Sequence, residues 1–505
     1  MSQQNVDLLP VRDWAANNQK KPANPVKILQ FGEGNFLRAF VDWMIDILNE
    51  KSDFNGSVRI VQPLDRGMVS MLNDQDGLYT VVRRGLSKGQ IVQDNRLITS
   101  IEKGINPYTE YDEFLASATL EELRFIVSNT TEAGIRYEAS DKLEDKPASS
   151  FPGKVTQLLW ARFNHFKGDK NKGINFIPCE LIDKNGDNLK AIVLRLAKEW
   201  NLTSEFINWV EDCNVFTNTL VDRIVPGYPA NEIDELCHKF GYKDNLAVSC
   251  EDFHLWVIEG GEAFQKELPL TEVGLNVVWT DDLPSYRTRK VRILNGIHTM
   301  TCAAAYQYGI ETVKESFDDD VVSKFISLGL EKDILPTLAD LKEDPAPYAQ
   351  DVLERFANPF IQHAWLSISL NTVSKFKTRV LPSLLGILEG ENKVPEVLAF
   401  ALASIVAFYE AEKVDSQYFG EGINGRYEIK DTPANIDYIM ECWKAFDGDP
   451  ETMDLVVEKV LKNEDFWGQD LSRFSNLSKS VSLYLFQIKT RGMKKAMADL
   501  VSALQ

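Results

Sequence analysis

At 505 residues the chain is too long for one ordinary core, so two or three domains are expected. Its 44% hydrophobic and 26% charged residues suit a globular protein, and 75 acidic against 55 basic side chains leave a net charge of −20. That balance argues against non-specific binding to nucleic acid or an anionic membrane, and an anionic ligand then needs a local pocket of positive charge.

Six cysteines (Cys179, Cys213, Cys237, Cys250, Cys302, Cys442) are scattered without a CxxC pair. They are expected to be reduced, mostly buried thiols rather than a zinc site or a disulfide framework. The N-terminal stretch MSQQNVDLLPVRDWAANNQKK lacks an apolar core followed by a small-residue cleavage site, so no secretory signal is expected. The longest apolar run, 397–408, is flanked by Glu396 and Glu410 and is too short to span a membrane; it is expected to be a buried core helix. These features together predict a soluble, cytoplasmic protein.

Along the chain, 26–32 (VKILQFG) is a short apolar run bounded by prolines and glycine, a buried strand. A helix follows, with Phe36, Phe40, Met44 and Leu48 at helical spacing. A second strand is expected over 57–65, shorter β pieces over 79–101, and further strands at 123–129 and 174–181, each leading toward a helical pattern. Strands alternating with helices predict a mostly parallel α/β sheet. After about residue 285 the pattern becomes helical, over 287–309, 319–330, 348–357, 361–375, 394–412, 434–446 and 450–463, while Gly420–Gly425 (GEGING) looks like a loop. The expected division is an α/β dinucleotide-binding (Rossmann-like) domain over 1–284 and a mostly α-helical domain over 285–505.

The first strand runs into Gly32-Glu-Gly34-Asn. Two glycines in a strand-to-helix turn let the backbone approach a ligand, and amides at the helix start suit a pyrophosphate. Asp65, closing the second strand, can accept hydrogen bonds from a ribose and would repel a 2′-phosphate, which favours NAD over NADP. Leu37 stands where the usual fingerprint has its third glycine, and Asp65 lies further downstream than usual. The alternative is a pair of turn glycines and a capping acid. Asn129-Thr130-Thr131, closing another strand, is either a further cofactor contact or a helix cap.

In Lys290-Val-Arg-Ile-Leu-Asn295-Gly-Ile-His298, a regular helix turns Asn295 about 140° and His298 about 80° from Lys290, with His298 about 12 Å further along the axis. Side chains lean toward the helix N-terminus, so the long Lys stem and the imidazole can converge. Asn295-Gly296 is a poor choice for a helix interior, and polar groups in so apolar a helix need partners or a ligand. Against this stands a Lys paired with an acid, an Asn capping against Gly296 and a satisfied histidine.

Lys290, Asn295 and His298 match the Kx4Nx2H signature of the long-chain polyol dehydrogenases, the mannitol dehydrogenase family. The segment Gly32-Glu-Gly34-Asn-Phe36-Leu-Arg38-Ala resembles that family's glycine motif. The resemblance extends over nearly the whole chain, with the α/β and helical domains in the same order. QFGEGNFLRAFVDW, SNTTEAGI, PCELIDKNG, TLVDRIV and RKVRILNGIHT are similar to the family's uronate-reducing branch. The mannitol and mannonate branches carry a His where this chain has Leu37.

The resemblance implies an NAD-dependent oxidoreductase that needs no metal, acts on a small sugar acid and has no nucleic-acid or membrane partner. It implies cofactor contacts from Phe31, Gly32, Glu33, Gly34, Asn35, Phe36, Arg38, Asp65 and Thr130. Lys290 would be general acid in reduction and general base in oxidation, Asn295 a donor to the developing oxyanion, and His298 an orienting group. Asp222 matches a family acid near the substrate, or else pairs with Arg223 or another base. Asn185 matches a substrate Asn, or else serves the turn. Lys375 matches a basic residue that faces substrate, while Leu181 and Ser367 replace an Asn and an Arg of the family pattern. Lys375 and Arg379 share a helical face suited to a carboxylate; Lys377 points elsewhere and is expected to be solvated. The runners-up are a fructuronate/mannonate or mannitol dehydrogenase and a non-catalytic dinucleotide sensor.

Overall fold

The computed structural model describes residues 8–131, 133–260, 265–391 and 393–505. It divides into two compact units, Met1–Leu283 and Pro284–Gln505.

In the first unit, β1 (Val26–Phe31), β2 (Ser57–Val61), β5 (Ile101–Ile105), β6 (Phe125–Ser128), β7 (Asn175–Pro178) and β8 (Val215–Phe216) form one sheet in the order β5-β2-β1-β6-β7-β8. Every pairing in it is parallel. Counted along these strands alone the order is 3-2-1-4-5-6, that of a dinucleotide-binding sheet, with its switch between β1 and β6. Alternation along each strand explains why both faces carry helices. Ile28, Phe125, Val127 and Ile177 pack on one side with Trp43, Met44 and Leu48 of the helix Val41–Lys51. Leu29, Phe31, Ile126 and Phe176 face the other side, against the helices Phe151–His165, Asn185–Glu199 and Ser204–Cys213.

Between β2 and β5 the chain inserts the hairpin β3 (Tyr79–Ser87) and β4 (Gln90–Ile98). Its two-residue turn, Lys88-Gly89, has φ of 51° and 72°, the positive pair that a tightly twisted hairpin needs. The expected strand 57–65 is corrected: β2 stops at Val61. Pro63 has no N–H to give a ladder, and the Gln62 side-chain amide donates to the Leu64 carbonyl (2.9 Å), holding the turn before Asp65.

The second unit is helical around Glu396–Phe408, whose residues from Val397 to Val406 are all buried. No helix among the described residues is long and apolar enough to cross a membrane. Three expectations are corrected here. The helix expected over 287–309 is two helices, Leu283–Lys290 and Gly296–Tyr308, joined by a π turn at Val291–Asn295. The helix expected over 361–375 is Trp365–Ile368 and Thr372–Arg379, broken where Asn371 takes φ 55°, a left-handed conformation that Asn tolerates. The stretch Gly420–Gly425 is not a loop but the paired ends of β14 (Gln417–Gly422) and β15 (Gly425–Ile429), turning over Ile423-Asn424. Gly420 is required there because a Cβ would fall 2.4 Å from the Tyr427 ring.

Candidate functional site

In the first unit, β1 ends in the glycine turn at the switch of the sheet. Gly32 has φ 120°, and a Cβ on it would sit 2.8 Å from the Asn129 carbonyl oxygen at the end of β6. At Gly34 a Cβ would meet nothing within 4 Å, so the backbone there lies open to a ligand. This cradle fits a dinucleotide pyrophosphate.

Several expected cofactor side chains face elsewhere. Phe31 is fully buried in the core, and only its backbone reaches the turn. Phe36 stacks on Phe40, with centroids 4.9 Å apart. Arg38 is 1% exposed and donates to the carbonyls of Glu33 and Leu246 and to the Asn35 side chain (2.7 Å), with its guanidinium over the Tyr79 ring. Charge-assisted bonds of this kind contribute roughly 1.5–3 kcal/mol each. Arg38 therefore braces the turn from beneath. Glu33 accepts from the Met68 amide (3.3 Å), linking the turn to the loop after β2; burial raises its carboxyl above the ordinary range.

Asp65 is exposed and borders a depression of about 580 Å³ that Gln62, Arg66, Ser70 and Asn106 also line. Replacing it with Ala should lower the preference for NADH over NADPH, measured as the ratio of kcat/KM values, by about tenfold, the factor that 1.4 kcal/mol of lost discrimination gives. An unchanged ratio would remove Asp65 from the cofactor site.

At the carboxyl edge, a buried acid not singled out from the sequence ties the strands together. Glu180 takes the Thr130 amide and hydroxyl (both 2.9 Å) on one oxygen and the Ser128 hydroxyl (3.0 Å) on the other. The Thr130 side chain is thus engaged by protein. Asn185 is also turned inward: its amide donates to the carbonyls of Pro178 (3.0 Å) and Glu180 (3.1 Å), and its oxygen accepts from Gly186 and Thr219. At 1% exposure this side chain pins the end of β7 to the start of a helix, as the turn alternative expects. Asp222 is buried at the end of β9 (Thr219–Asp222). The guanidinium of the neighbouring Arg223 donates to the carbonyls of Ala39 (2.6 Å) and Glu251 (2.9 and 3.1 Å).

In the second unit, the π turn begins immediately after Lys290 and ends on Asn295, and both side chains are half-buried. An i→i+5 turn is wider than an α turn, so the angles expected for a regular helix do not apply across it; such turns recur at functional sites. Two features hold it. Arg292 donates to the hydroxyls of Ser383 and Thr337 (both 2.7 Å). A Cβ on Gly296 would lie 3.3 Å from the Arg379 carbonyl, so glycine lets the end of the helix Thr372–Arg379 close in.

His298 is 7% exposed. Its ring stacks on Phe356 (4.2 Å, 18°) and meets the rings of His363 (5.3 Å, 80°) and Trp365 (6.1 Å, 81°) at steep angles. Trp365 is fully buried and held by Ser316 (3.0 Å). Aromatic pairs of this kind contribute roughly 0.5–1.5 kcal/mol each beyond burial, enough to fix one ring orientation.

Near this ring lies a cationic cluster. Lys375 is half-buried and donates to the Ile368 carbonyl (2.9 Å); burial and the neighbouring Arg379 cation lower its ammonium pKa. His363 is lowered by burial and by Lys375. Lys377 points away, toward the Asp465 carbonyl (3.3 Å). The second unit therefore joins a Lys–Asn–His set to a group of cations able to hold a carboxylate. No spacing in the sequence flags His363, which reaches the cluster from the irregular chain between two helices.

Comparison with known proteins gives the same two-part division. Residues 26–272 match the mannitol dehydrogenase Rossmann domain and 282–489 the mannitol dehydrogenase C-terminal domain. The altronate oxidoreductase of Bacillus subtilis (strain 168) is 44% identical over 94% of this chain and 95% of its own length. That of Escherichia coli O1:K1 / APEC is 44% identical over 94% and 97%. Among solved structures, D-sorbitol dehydrogenase in substrate-free form superposes with a TM-score of 0.78 at 23% identity, covering 94% of this chain and 96% of its own. Pseudomonas fluorescens mannitol 2-dehydrogenase, in a ternary complex with NAD and D-mannitol, gives 0.68 at 21%, covering 96% of each chain. These two likenesses show the shared fold.

Proposed function

Because the chain belongs to the mannitol dehydrogenase family, we propose that it is a cytoplasmic enzyme of hexuronate catabolism interconverting D-tagaturonate and D-altronate. It is an NAD-dependent oxidoreductase. The observation that carries the choice of a sugar acid over a polyol is the pair of cations Lys375 and Arg379 with the His363 imidazole beside His298, set in a chain of net charge −20. The name of the 44%-identical relatives, altronate oxidoreductase, agrees with it.

The Gly32–Gly34 turn would hold the pyrophosphate and Asp65 the adenosine ribose. When bound, NADH supplies the hydride that reduces the keto carbon. The chain's own residues manage the oxygen. Lys290 donates a proton to the oxygen as it gains charge, and takes it back in the oxidative direction. Asn295 donates a hydrogen bond to the same oxygen, and His298, clamped by Phe356 and Trp365, fixes the substrate's orientation. Lys375 and Arg379 pair with the carboxylate.

Steady-state NADH oxidation with D-tagaturonate, D-fructuronate and D-fructose tests the assignment. Tagaturonate is expected to give the highest kcat/KM, by tenfold or more. A preference for fructuronate would move the chain to the mannonate reaction, and a preference for fructose would overturn the uronate reading.

A further inference from the structure

We propose that His363 is a specificity-determining residue: its imidazole, together with Lys375 and Arg379, holds the substrate carboxylate and so selects a keto acid over the uncharged ketose. The inference rests on the reading that the substrate is a keto-uronate.

The ring meets His298 at 5.3 Å and 80°. In a hex-5-ulosonate the carboxyl carbon lies four bonds from the keto carbon, roughly 5 Å at about 1.5 Å per C–C bond. A substrate whose keto group is oriented by His298 can thus present its carboxylate to the neighbouring imidazole. His363 is half-buried, and no protein hydrogen bond to its ring nitrogens is present among the described residues. Its backbone is nonetheless fixed, since its carbonyl accepts from the Val313 amide (2.9 Å) and the next residue pairs with Thr312. The imidazole is therefore positioned by the chain yet not consumed by it.

Burial, and then the nearby Lys375 cation, both lower the His363 pKa and so favour the neutral ring, which still carries one N–H to donate. Asp431, an acid that also acts on Lys375, accepts from the Tyr409 hydroxyl and the Val373 amide (3.4 Å). Its carboxylate is thereby engaged by groups other than Lys375.

The test compares D-tagaturonate with D-tagatose, the same ketose without the carboxylate, for the full-length wild type, His363→Phe and His363→Gln. Phe keeps a ring against His298 but cannot donate; Gln keeps a neutral donor. His363→Phe is expected to raise KM for tagaturonate tenfold or more with kcat within threefold, and to leave kcat/KM for tagatose unchanged. His363→Gln should recover most of the loss. Equal losses on both substrates would show that His363 only packs His298 and would overturn the proposal, as would an unchanged KM for tagaturonate in both variants. If the wild type itself shows no preference for tagaturonate over tagatose, the uronate reading fails and this inference falls with it. If His363→Phe does not fold, His363→Met, which likewise cannot donate, takes its place: a KM for tagaturonate raised tenfold or more with kcat/KM for tagatose unchanged supports the role, and a wild-type KM for tagaturonate overturns it.

Discussion

Lys290→Ala is expected to lower kcat for ketone reduction by about 10²–10⁴-fold, the usual contribution of a positioned acid or base, with the Kd for NADH within threefold of wild type. The expectation follows from where the side chain stands. Lys290 closes one helix at the mouth of the π turn, half-buried, with Asn295 at the turn's far end and His298 clamped in the helix beyond. Reduction leaves negative charge on the substrate oxygen, and a proton must arrive as that charge forms. Lys290→Arg separates the two things a Lys can do. It keeps the positive charge, but a guanidinium with a pKa above about 12 does not donate its proton. If the lysine acts by proton transfer, Arg should be nearly as slow as Ala. If it acts only by attracting the oxygen, Arg should recover most of the rate. Stopped-flow measurement of NADH consumption with saturating tagaturonate distinguishes them. Wild-type turnover in both variants would overturn the role given to Lys290, whereas no turnover by the wild type with any of the substrates would leave the sensor reading of the sequence.

What was legible in the sequence is what local periodicity carries. The alternation of Ile28 with Leu29 and Phe31 implies a strand buried on both faces, and the fold sends those side chains into two different cores. The apolar run before Phe408 could only be an interior helix, and it is one. The π turn was not legible, because Ile293, Leu294 and Ile297 are apolar and buried whichever hydrogen-bond ladder the backbone follows. Nor was the inward orientation of Arg38, whose guanidinium is satisfied partly by the carbonyl of Leu246, 208 residues away. The inward turn of Asn185 was hidden for a similar reason: an Asn near a sheet edge looks like a ligand group, and only the fold brings Pro178, Glu180, Gly186 and Thr219 to its donors and acceptor. Motif resemblance gives positions; it does not say which way a side chain turns.

The glycine turn offers the second large effect, because its two glycines are required for different reasons. Gly32→Ala should destabilise the protein by about 2–4 kcal/mol and abolish measurable NADH binding. At φ 120° an L side chain is strained, and its Cβ would lie 2.8 Å from the Asn129 carbonyl oxygen. That oxygen belongs to backbone at the end of β6 and cannot swing aside as a flexible side chain would. Relief requires prying β1 from β6 at the switch of the sheet. Gly34→Ala should behave oppositely. Its φ of −67° and ψ of 166° suit any residue, and nothing lies within 4 Å of the added carbon, so the unfolding midpoint should stay within about 2 °C of wild type. The new methyl would nevertheless stand on the open side of the turn, where a pyrophosphate must approach the amides, and should raise the Kd for NADH tenfold or more. Thermal unfolding with and without NADH, together with calorimetric titration, reads both quantities. Wild-type affinity in Gly34→Ala would mean that the phosphates bind elsewhere. Wild-type stability in Gly32→Ala would mean that the Asn129 carbonyl yields, and that the positive φ is preferred there rather than required.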